Sequence, residues 1–175
     1  RTIPDFLLPL LRELSNGHFH SGQDLAKKFA MSRASVCNLV HVAQQMGLNI
    51  HAVRGRGYQW VTPQTWLDHA TIIAALGPVA QDYQLQILDA ADSTNSVLMQ
   101  AAEAGAPDGS VVCAEYQFAG RGRRGREWQA VLGGSLTFSV LWRFEEGIAA
   151  LVGLSLAVGV AIARALNRFS PYPVK

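Results

Sequence analysis

The residues most able to do chemistry are four arginines in one short segment, 120–126, whose sequence is GRGRRGR. Arginine presents a planar fork of donors that matches phosphate and carboxylate groups, and glycine lets the backbone approach an anion closely. The segment lies between two stretches typical of strands, 109–116 and 135–142. Four like charges on a loop between strands have no packing rationale, so the pattern predicts an anion-binding loop.

Two other interpretations of this loop fit the sequence less well. A nonspecific nucleic-acid arm would be longer, repetitive and disordered. A solvated charge cluster would lie more naturally on the face of a helix than between strands. A loop that an anionic ligand orders therefore remains the favoured interpretation.

A second polar cluster, Asp92-Ser93-Thr94-Asn95, lies between a strand predicted over 84–88 and a helix predicted over 96–104. Its aspartate, serine and threonine can each cap that helix, and a helix N-terminus is suited to polar ligand groups. On the residues alone, a plain helix cap is favoured over a ligand site.

The first third of the chain has the pattern of three short helices. Apolar residues at helical spacing predict a first helix over 3–14, which Asn16-Gly17 ends. Ser21 can cap a second helix, and Ser32 can cap a third over 33–46. Two helices joined by a tight turn, the second capped by serine, are typical of a helix-turn-helix.

A hairpin after the third helix predicts a wing. Strands over 50–53 and 58–61 flank the segment Arg54-Gly55-Arg56-Gly57, which forms the tip. Arginine and asparagine can bond base edges bidentately, and serine suits a phosphate. The candidate DNA-binding residues on the third helix and the wing are Ser32, Arg33, Ser35, Asn38, His41, Arg54 and Arg56.

The net charge of the chain is concentrated in the same N-terminal region. Residues 1–62 hold seven basic and three acidic residues, and residues 63–175 hold eight and ten, so the halves carry +4 and −2. A basic half favours a nucleic-acid partner. The alternative is a small helical domain whose exposed face is merely polar, and the basic wing tip argues against it.

The remaining segments predict scaffold. A linker after Thr62-Pro63 leads into a helix over 64–76. The stretch 147–163 carries no charge but is shorter than the ~20 residues of a membrane span, so a helix over 148–169 is expected to pack on a sheet. Cys37 and Cys113 are isolated in the sequence, which predicts two buried, reduced thiols in a cytoplasmic protein without a membrane segment.

Three of these features occur together, in the same order, in one family. The segment 114–119 (AEYQFA), followed by GRGRRGR and Glu127-Trp128, resembles the biotin-binding loop of biotin protein ligases. The cluster 92–95 resembles the D-S-T-N turn of that family. The N-terminal third resembles the winged helix of its bifunctional bacterial members, the biotin operon repressors.

The resemblance covers nearly the whole chain and implies an α+β fold. It implies a winged helix-turn-helix domain over 1–62, a linker and connecting helix over 63–82, and part of a class II synthetase-like, mixed-sheet ligase domain over 83–175. The family's K-W-P-N-D segment is absent, and its catalytic lysine is expected beyond Lys175. By itself, this stretch of sequence is therefore expected to bind biotin weakly and not to turn over.

The activity that the resemblance implies has two parts. Biotin and ATP, with Mg²⁺, would form biotinyl-5′-AMP, and the biotin would pass to a lysine of a biotin carboxyl carrier protein. A homodimer bound to the adenylate would repress biotin genes on operator DNA. The alternatives are a ligand-sensing winged-helix repressor without catalysis and, less favoured because of the GRGRRGR loop and the fused winged helix, a lipoate ligase.

The resemblance also assigns roles to residues. Arg121 and Arg123 would stabilise the carboxylate and the α-phosphate, Arg123 in a catalytic role, and Arg126 would assist with the phosphates. No residue is assigned as a metal ligand. The implied biotin contacts are Ser93, Thr94, Asn95, Gln117, Arg121, Gly122 and Arg123.

Overall fold

The computed structural model describes residues 3–122, 126, 128, 130–145, 147 and 151–174. The chain forms two compact units, Arg1–Leu141 and Trp142–Lys175. The first unit contains the three N-terminal helices, the hairpin and a three-stranded sheet. In the described part of the second unit there is one α-helix.

The N-terminal part is a helix-turn-helix followed by a hairpin. Its elements are α1 (Leu7–Leu14), α2 (Gly22–Lys28), α3 (Arg33–Gln45), β1 (Ile50–Val53) and β2 (Gly57–Trp60). The two strands pair antiparallel, with Ile50 opposite Trp60. This arrangement agrees with the winged helix that the sequence predicts.

The helices begin where serines can cap them. The Ser32 hydroxyl accepts a hydrogen bond from the Ser35 backbone N–H at 3.0 Å, and the Ser21 hydroxyl accepts one from the Gln23 N–H at 3.2 Å. The first helix begins at Leu7, later than predicted, because Phe6 has a left-handed backbone that excludes it from the helix.

The apolar spacing of the helices correctly predicts their buried faces. α3 buries Val36, Leu39, Val40 and Ala43. α1 buries five leucines, four of which follow the i, i+3, i+4, i+7 spacing of one helix face. The prediction of two buried thiols was wrong for Cys37. It lies on the exposed side of α3, outside the positions that face the core, whereas Cys113 is buried in the sheet.

Between the winged helix and the sheet lies α4 (His69–Leu76), followed by a 3₁₀ helix (Gly77–Asp82). The sequence predicts that this helix starts at Gln64, and the start was wrong by five residues. Asp68 is the N-cap, and its carboxylate accepts hydrogen bonds from both the N–H and the hydroxyl of Thr71 at 2.8 and 2.6 Å.

The sheet contains β3 (Gln84–Ala91), β4 (Ser110–Gln117) and β5 (Thr137–Val140), in that order. β3 and β4 are parallel, with Ala91 opposite Gln117, and β4 and β5 are antiparallel. A parallel pair needs a crossover, which α5 (Thr94–Glu103) supplies. The mixed sheet agrees with the α+β class, and it brings the ends of β3 and β4 beside the start of α5.

The second unit contains α6 (Leu154–Leu166), which is shorter than the helix predicted over 148–169. Residues 148–150 lie outside the described residues, and Gly153 caps the observed helix. Within α6 no described residue is buried, so its packing on a sheet stays a prediction. In the described part of the chain, no helix is long and apolar enough to cross a membrane.

Two glycines of the wing provide a test of how the hairpin is fixed to the helices. Both have positive φ, +82° at Gly55 and +98° at Gly57. A Cβ at Gly57 would lie 2.0 Å from the carbonyl oxygen of His20, whereas one at Gly55 would meet nothing within 4 Å. The backbones of His20 and Tyr58 exchange hydrogen bonds of 2.8 and 2.9 Å at this point.

We expect Gly55→Ala to lower the free energy of unfolding by about 1–2 kcal/mol, the cost of a left-handed alanine. Gly57→Ala should cost about 3 kcal/mol or more, because the wing must also move away from His20. Urea unfolding of both variants measures the difference. Equal losses would contradict the close contact between the wing and His20.

Candidate ligand and nucleic-acid sites

The candidate ligand site begins at the N-terminus of α5. Ser93 is the N-cap residue; its hydroxyl lies 3.5 Å from the Ser96 N–H, and its own N–H donates to the Asp92 carboxylate at 2.7 Å. Ser93 and Thr94 are buried, at 8% and 2% exposure, although both are polar. The plain cap favoured by the residues alone is present, but it does not account for the burial of Thr94.

Thr94 is held by two strands at once. The Gln117 side-chain carbonyl accepts from the Thr94 N–H at 2.6 Å and from its hydroxyl at 3.1 Å. The Thr94 hydroxyl also lies 2.9 Å from that of Ser139 on β5. A buried hydroxyl needs such partners, and here they join the start of α5 to the ends of β4 and β5.

The arginine loop leaves β4 directly after Gln117. The N–H groups of Phe118 and Ala119 donate to the carbonyls of Ala91 and Asp92 at 3.1 and 3.0 Å, which continues the pairing of the strands. A Cβ at Gly120 would lie 2.9 Å from the Gln117 amide nitrogen and 3.0 Å from the Trp128 side chain. A larger residue at position 120 would press on both side chains, so glycine fits best where the loop crosses Gln117.

The described part of the loop folds back on itself. The Gly122 N–H donates to the Arg126 carbonyl at 2.8 Å, and the Trp128 N–H donates to the Gly120 carbonyl at 3.0 Å. Arg121 reaches across to α5, where its guanidinium donates to the Ser96 hydroxyl at 3.2 Å. The predicted residue Arg123 lies outside the described residues.

A pocket of about 550 Å³ lies where these elements meet. Its lining residues are Ser93, Asn95, Ser96, Met99 and Arg121. Three of the predicted ligand contacts, Ser93, Asn95 and Arg121, thus line one pocket. Two others, Thr94 and Gln117, are bonded to each other next to it. Gly122 and Arg126 lie further along the loop, where Arg126 is exposed. The arrangement combines hydroxyl and amide groups at one side with a cation at the other.

Two polar residues of this site are not predicted from the sequence. Ser96 follows the cap residue Ser93 by one helical turn and anchors Arg121, a spacing that could have indicated it. Ser139 fixes Thr94 from a strand 45 residues away, and no local signal reveals that contact. Among the described residues, no group of three or more His, Cys, Asp or Glu side chains could hold a metal ion.

The candidate DNA surface lies on α3 and the wing. Arg33, Asn38, Arg54 and Arg56 are exposed, and Ser35 is half-buried. Ser32 and Ser35 bond to each other, with their hydroxyl oxygens 2.8 Å apart, so both hydroxyls are already engaged in the cap.

A concave surface of about 320 Å³ lies between the start of α2, Arg33 and the wing arginines. The Arg56 guanidinium lies over the Phe19 ring, 4.1 Å from its centroid, which fixes the wing tip. Tyr58 also lines this surface. The pKa of its hydroxyl is raised, first by burial and then by a hydrogen bond with Cys37. Three guanidinium groups and a neutral phenol around one concavity suit a phosphate of the DNA backbone.

The fold defines a class of protein in which a winged helix-turn-helix is joined to a mixed sheet. A family described as "HTH domain" matches residues 7–59. The "Biotin/lipoate A/B protein ligase family" matches residues 87–174, half of the chain. The chain belongs to this ligase family, as the resemblance of the loop indicates.

Relatives include proteins named "Bifunctional ligase/repressor BirA". The one from Escherichia coli (strain K12) is 37% identical over 99% of this chain and 52% of its own length. The one from Bacillus subtilis (strain 168) is 27% identical over 95% of this chain and 51% of its own length. This chain therefore spans about half the length of these curated relatives.

A relative without the repressor name matches a shorter stretch. The "Biotin--[acetyl-CoA-carboxylase] ligase" of Mycobacterium tuberculosis (strain ATCC 25618 / H37Rv) is 42% identical over 45% of this chain and 30% of its own length. The predicted fold, a winged helix-turn-helix followed by a ligase domain, is confirmed by the two family matches. The domain boundaries and the roles of individual residues remain predictions.

Proposed function

We propose that the protein to which this chain belongs is a biotin protein ligase that also represses transcription. It activates biotin with ATP to biotinyl-5′-AMP and transfers the biotin to a lysine of a biotin carboxyl carrier protein. As an adenylate-bound homodimer it represses biotin genes on operator DNA. One observation carries the proposal: in a member of this ligase family, Ser93, Asn95 and Arg121 line one pocket, and Gln117 holds Thr94 beside it.

The polar side of the pocket suits the ureido ring of biotin. That ring offers one carbonyl acceptor and two N–H donors, so it needs both kinds of partner in a fixed arrangement. Ser93 and Asn95 line the pocket, and Thr94 and Gln117 are locked together behind them. Side chains that are already held by hydrogen bonds bind a rigid ring with little loss of conformational entropy.

The cationic side suits the reacting groups. A biotin carboxylate oxygen attacks the α-phosphorus of ATP, a P–O bond to the β-phosphate breaks, and pyrophosphate leaves. Two anions must approach each other, and guanidinium groups held in place offset their repulsion. Arg121, which Ser96 fixes at 3.2 Å, acts on the carboxylate and the α-phosphate together with Arg123, and Arg126 assists with the phosphates.

Mg²⁺ would enter the site with ATP and offset the charge of its phosphates. The product is a mixed anhydride that water can hydrolyse. A loop that folds over the adenylate would exclude water until the acceptor lysine arrives. Gly120 and Gly122 allow the backbone of that loop to approach its own returning strand closely.

The adenylation step can be tested by biotin-dependent exchange of labelled pyrophosphate into ATP, with the protein expressed from its complete reading frame. We expect exchange in the wild type and a loss of about 100-fold in Arg121→Ala, the usual effect of removing one charge-stabilising donor. Arg56→Glu, on the wing, should exchange at the wild-type rate. Undiminished exchange in Arg121→Ala would contradict its role, and no exchange in the wild type would favour a repressor that only senses its ligand.

DNA binding can be tested by charge reversal on the candidate surface. Arg33→Glu and Arg56→Glu should each lower the affinity for duplex DNA from the promoters of biotin genes, and each should reduce the salt-dependence slope by about 1. Arg168→Glu, on the second unit, changes the net charge equally and should leave both quantities unchanged. Gel shifts at several salt concentrations give the slope, and circular dichroism checks the fold. Equal effects of all three variants would mean that only net charge matters.

A further inference from the structure

A group of polar contacts joins the winged helix to the sheet within the first unit. We call it the polar junction; its members are Arg12, Trp66, Leu67, Asp89 and Glu115. The Arg12 guanidinium bonds the Asp89 carboxylate at 2.5 Å, lies 4.0 Å from that of Glu115, and stacks over the Trp66 ring at 4.5 Å from its centroid. One side chain of α1 therefore contacts both β3 and β4 as well as the linker.

Glu115 is the buried member of the junction. Its side chain is 6% exposed, and its carboxylate accepts a hydrogen bond from the Leu67 N–H at 2.6 Å. The pKa of Glu115 is raised, chiefly by burial, and the Leu67 hydrogen bond and the Arg12 charge limit this rise. A buried carboxylate is destabilising unless it has such partners, so Arg12 and Leu67 hold Glu115 in place.

The two acidic members of the polar junction, Asp89 and Glu115, lie on the strands whose ends form the ligand site. Glu115 precedes Gln117 by two residues on β4, and Asp89 precedes Ala91 by two on β3. Ala91 and Gln117 are opposite each other in the register of this parallel pair. A shift of either strand at its anchor would therefore displace Gln117 relative to Thr94, whose N–H it accepts at 2.6 Å.

We propose that Arg12 is a positioning residue for the ligand site. Arg12 joins both strands to α1, so the affinity for biotin depends on how the winged helix packs against the sheet. Arg12 contacts no part of the candidate pocket and acts only through Asp89 and Glu115. The inference that biotin is the ligand rests on the proposed function; the inference that Arg12 positions Thr94 and Gln117 does not.

The chain offers a matched control. Lys28 and Glu13 form an ion pair of the same length, 2.5 Å, entirely within the winged helix. Arg12→Gln breaks an ion pair that reaches the sheet, and Lys28→Gln breaks one that does not. Arg12→Lys keeps the charge but loses the planar fork, so it should have an intermediate effect and is the variant to use if Arg12→Gln folds poorly.

The first readout is amide hydrogen exchange. The N–H groups of Leu67 and Thr94 are each held by a β4 side chain, Glu115 and Gln117 respectively. Arg12→Gln should accelerate exchange at both amides by about fivefold or more, and Lys28→Gln at neither. Faster exchange at Leu67 alone would overturn the proposal, because Arg12 would then act only locally.

The second readout is the affinity for biotin, measured by calorimetry with the protein from its complete reading frame. Arg12→Gln should weaken it by about fivefold or more, and Lys28→Gln should stay within about twofold. Glu115→Gln keeps the acceptor for Leu67 and loses the charge that faces Arg12. Arg12→Gln combined with Glu115→Gln should therefore lose less than the product of the single losses.

The outcomes separate the two proposals. Unchanged biotin affinity in Arg12→Gln, or fully additive losses in the double variant, would overturn the positioning role. If the wild type binds no biotin, the proposed function fails, and the exchange rate of the Thr94 amide in Arg12→Gln still decides whether Arg12 positions the site.

Discussion

The hydrogen bonds between Gln117 and Thr94 join the parts on which the candidate site depends. One side-chain carbonyl receives both the N–H and the hydroxyl of Thr94, which fixes the end of β4 to the start of α5. The arginine loop leaves β4 at this point, so the same contact directs Arg121 toward Ser96. Together with the Arg121–Ser96 bond and the pairing of Phe118 and Ala119 with the end of β3, it fixes the separation between the hydroxyl turn and the cationic loop.

Arginine has three physical roles in this chain, and the surroundings determine each. On the wing, Arg56 is exposed and stacked on Phe19, which leaves its charge available to a solvated phosphate. In the loop, Arg121 is anchored by a neutral hydroxyl, so its charge is not neutralised by a carboxylate. At the polar junction, Arg12 is paired with Asp89, so its charge stabilises the packing of α1 against β3. At both candidate sites, the guanidinium groups lack an acidic partner among the described contacts.

Much of the fold could be predicted because its signals are local. The cap at Ser32, the buried positions of α3 and the wing all follow from residues within one or two turns of each other. The start of α4 was predicted too early because the cap at Asp68, and not the upstream sequence pattern, determines where the helix begins. Cys37 was predicted to be buried because cysteine is usually buried, although its position on α3 lies outside the buried face. The contacts of Arg12 with Asp89, 77 residues away, and of Thr94 with Ser139 depend on the packing of separate elements, which no spacing in the sequence reveals.

The most direct test is a crystal structure of the protein from its complete reading frame with biotinyl-5′-AMP. We predict that the ureido ring lies within about 3 Å of the hydroxyl or amide groups of Ser93, Thr94 and Gln117. We also predict that the adenylate phosphate lies against the guanidinium of Arg121. A ureido ring bound away from the start of α5, or a phosphate that no arginine of segment 120–126 contacts, would contradict the proposed site.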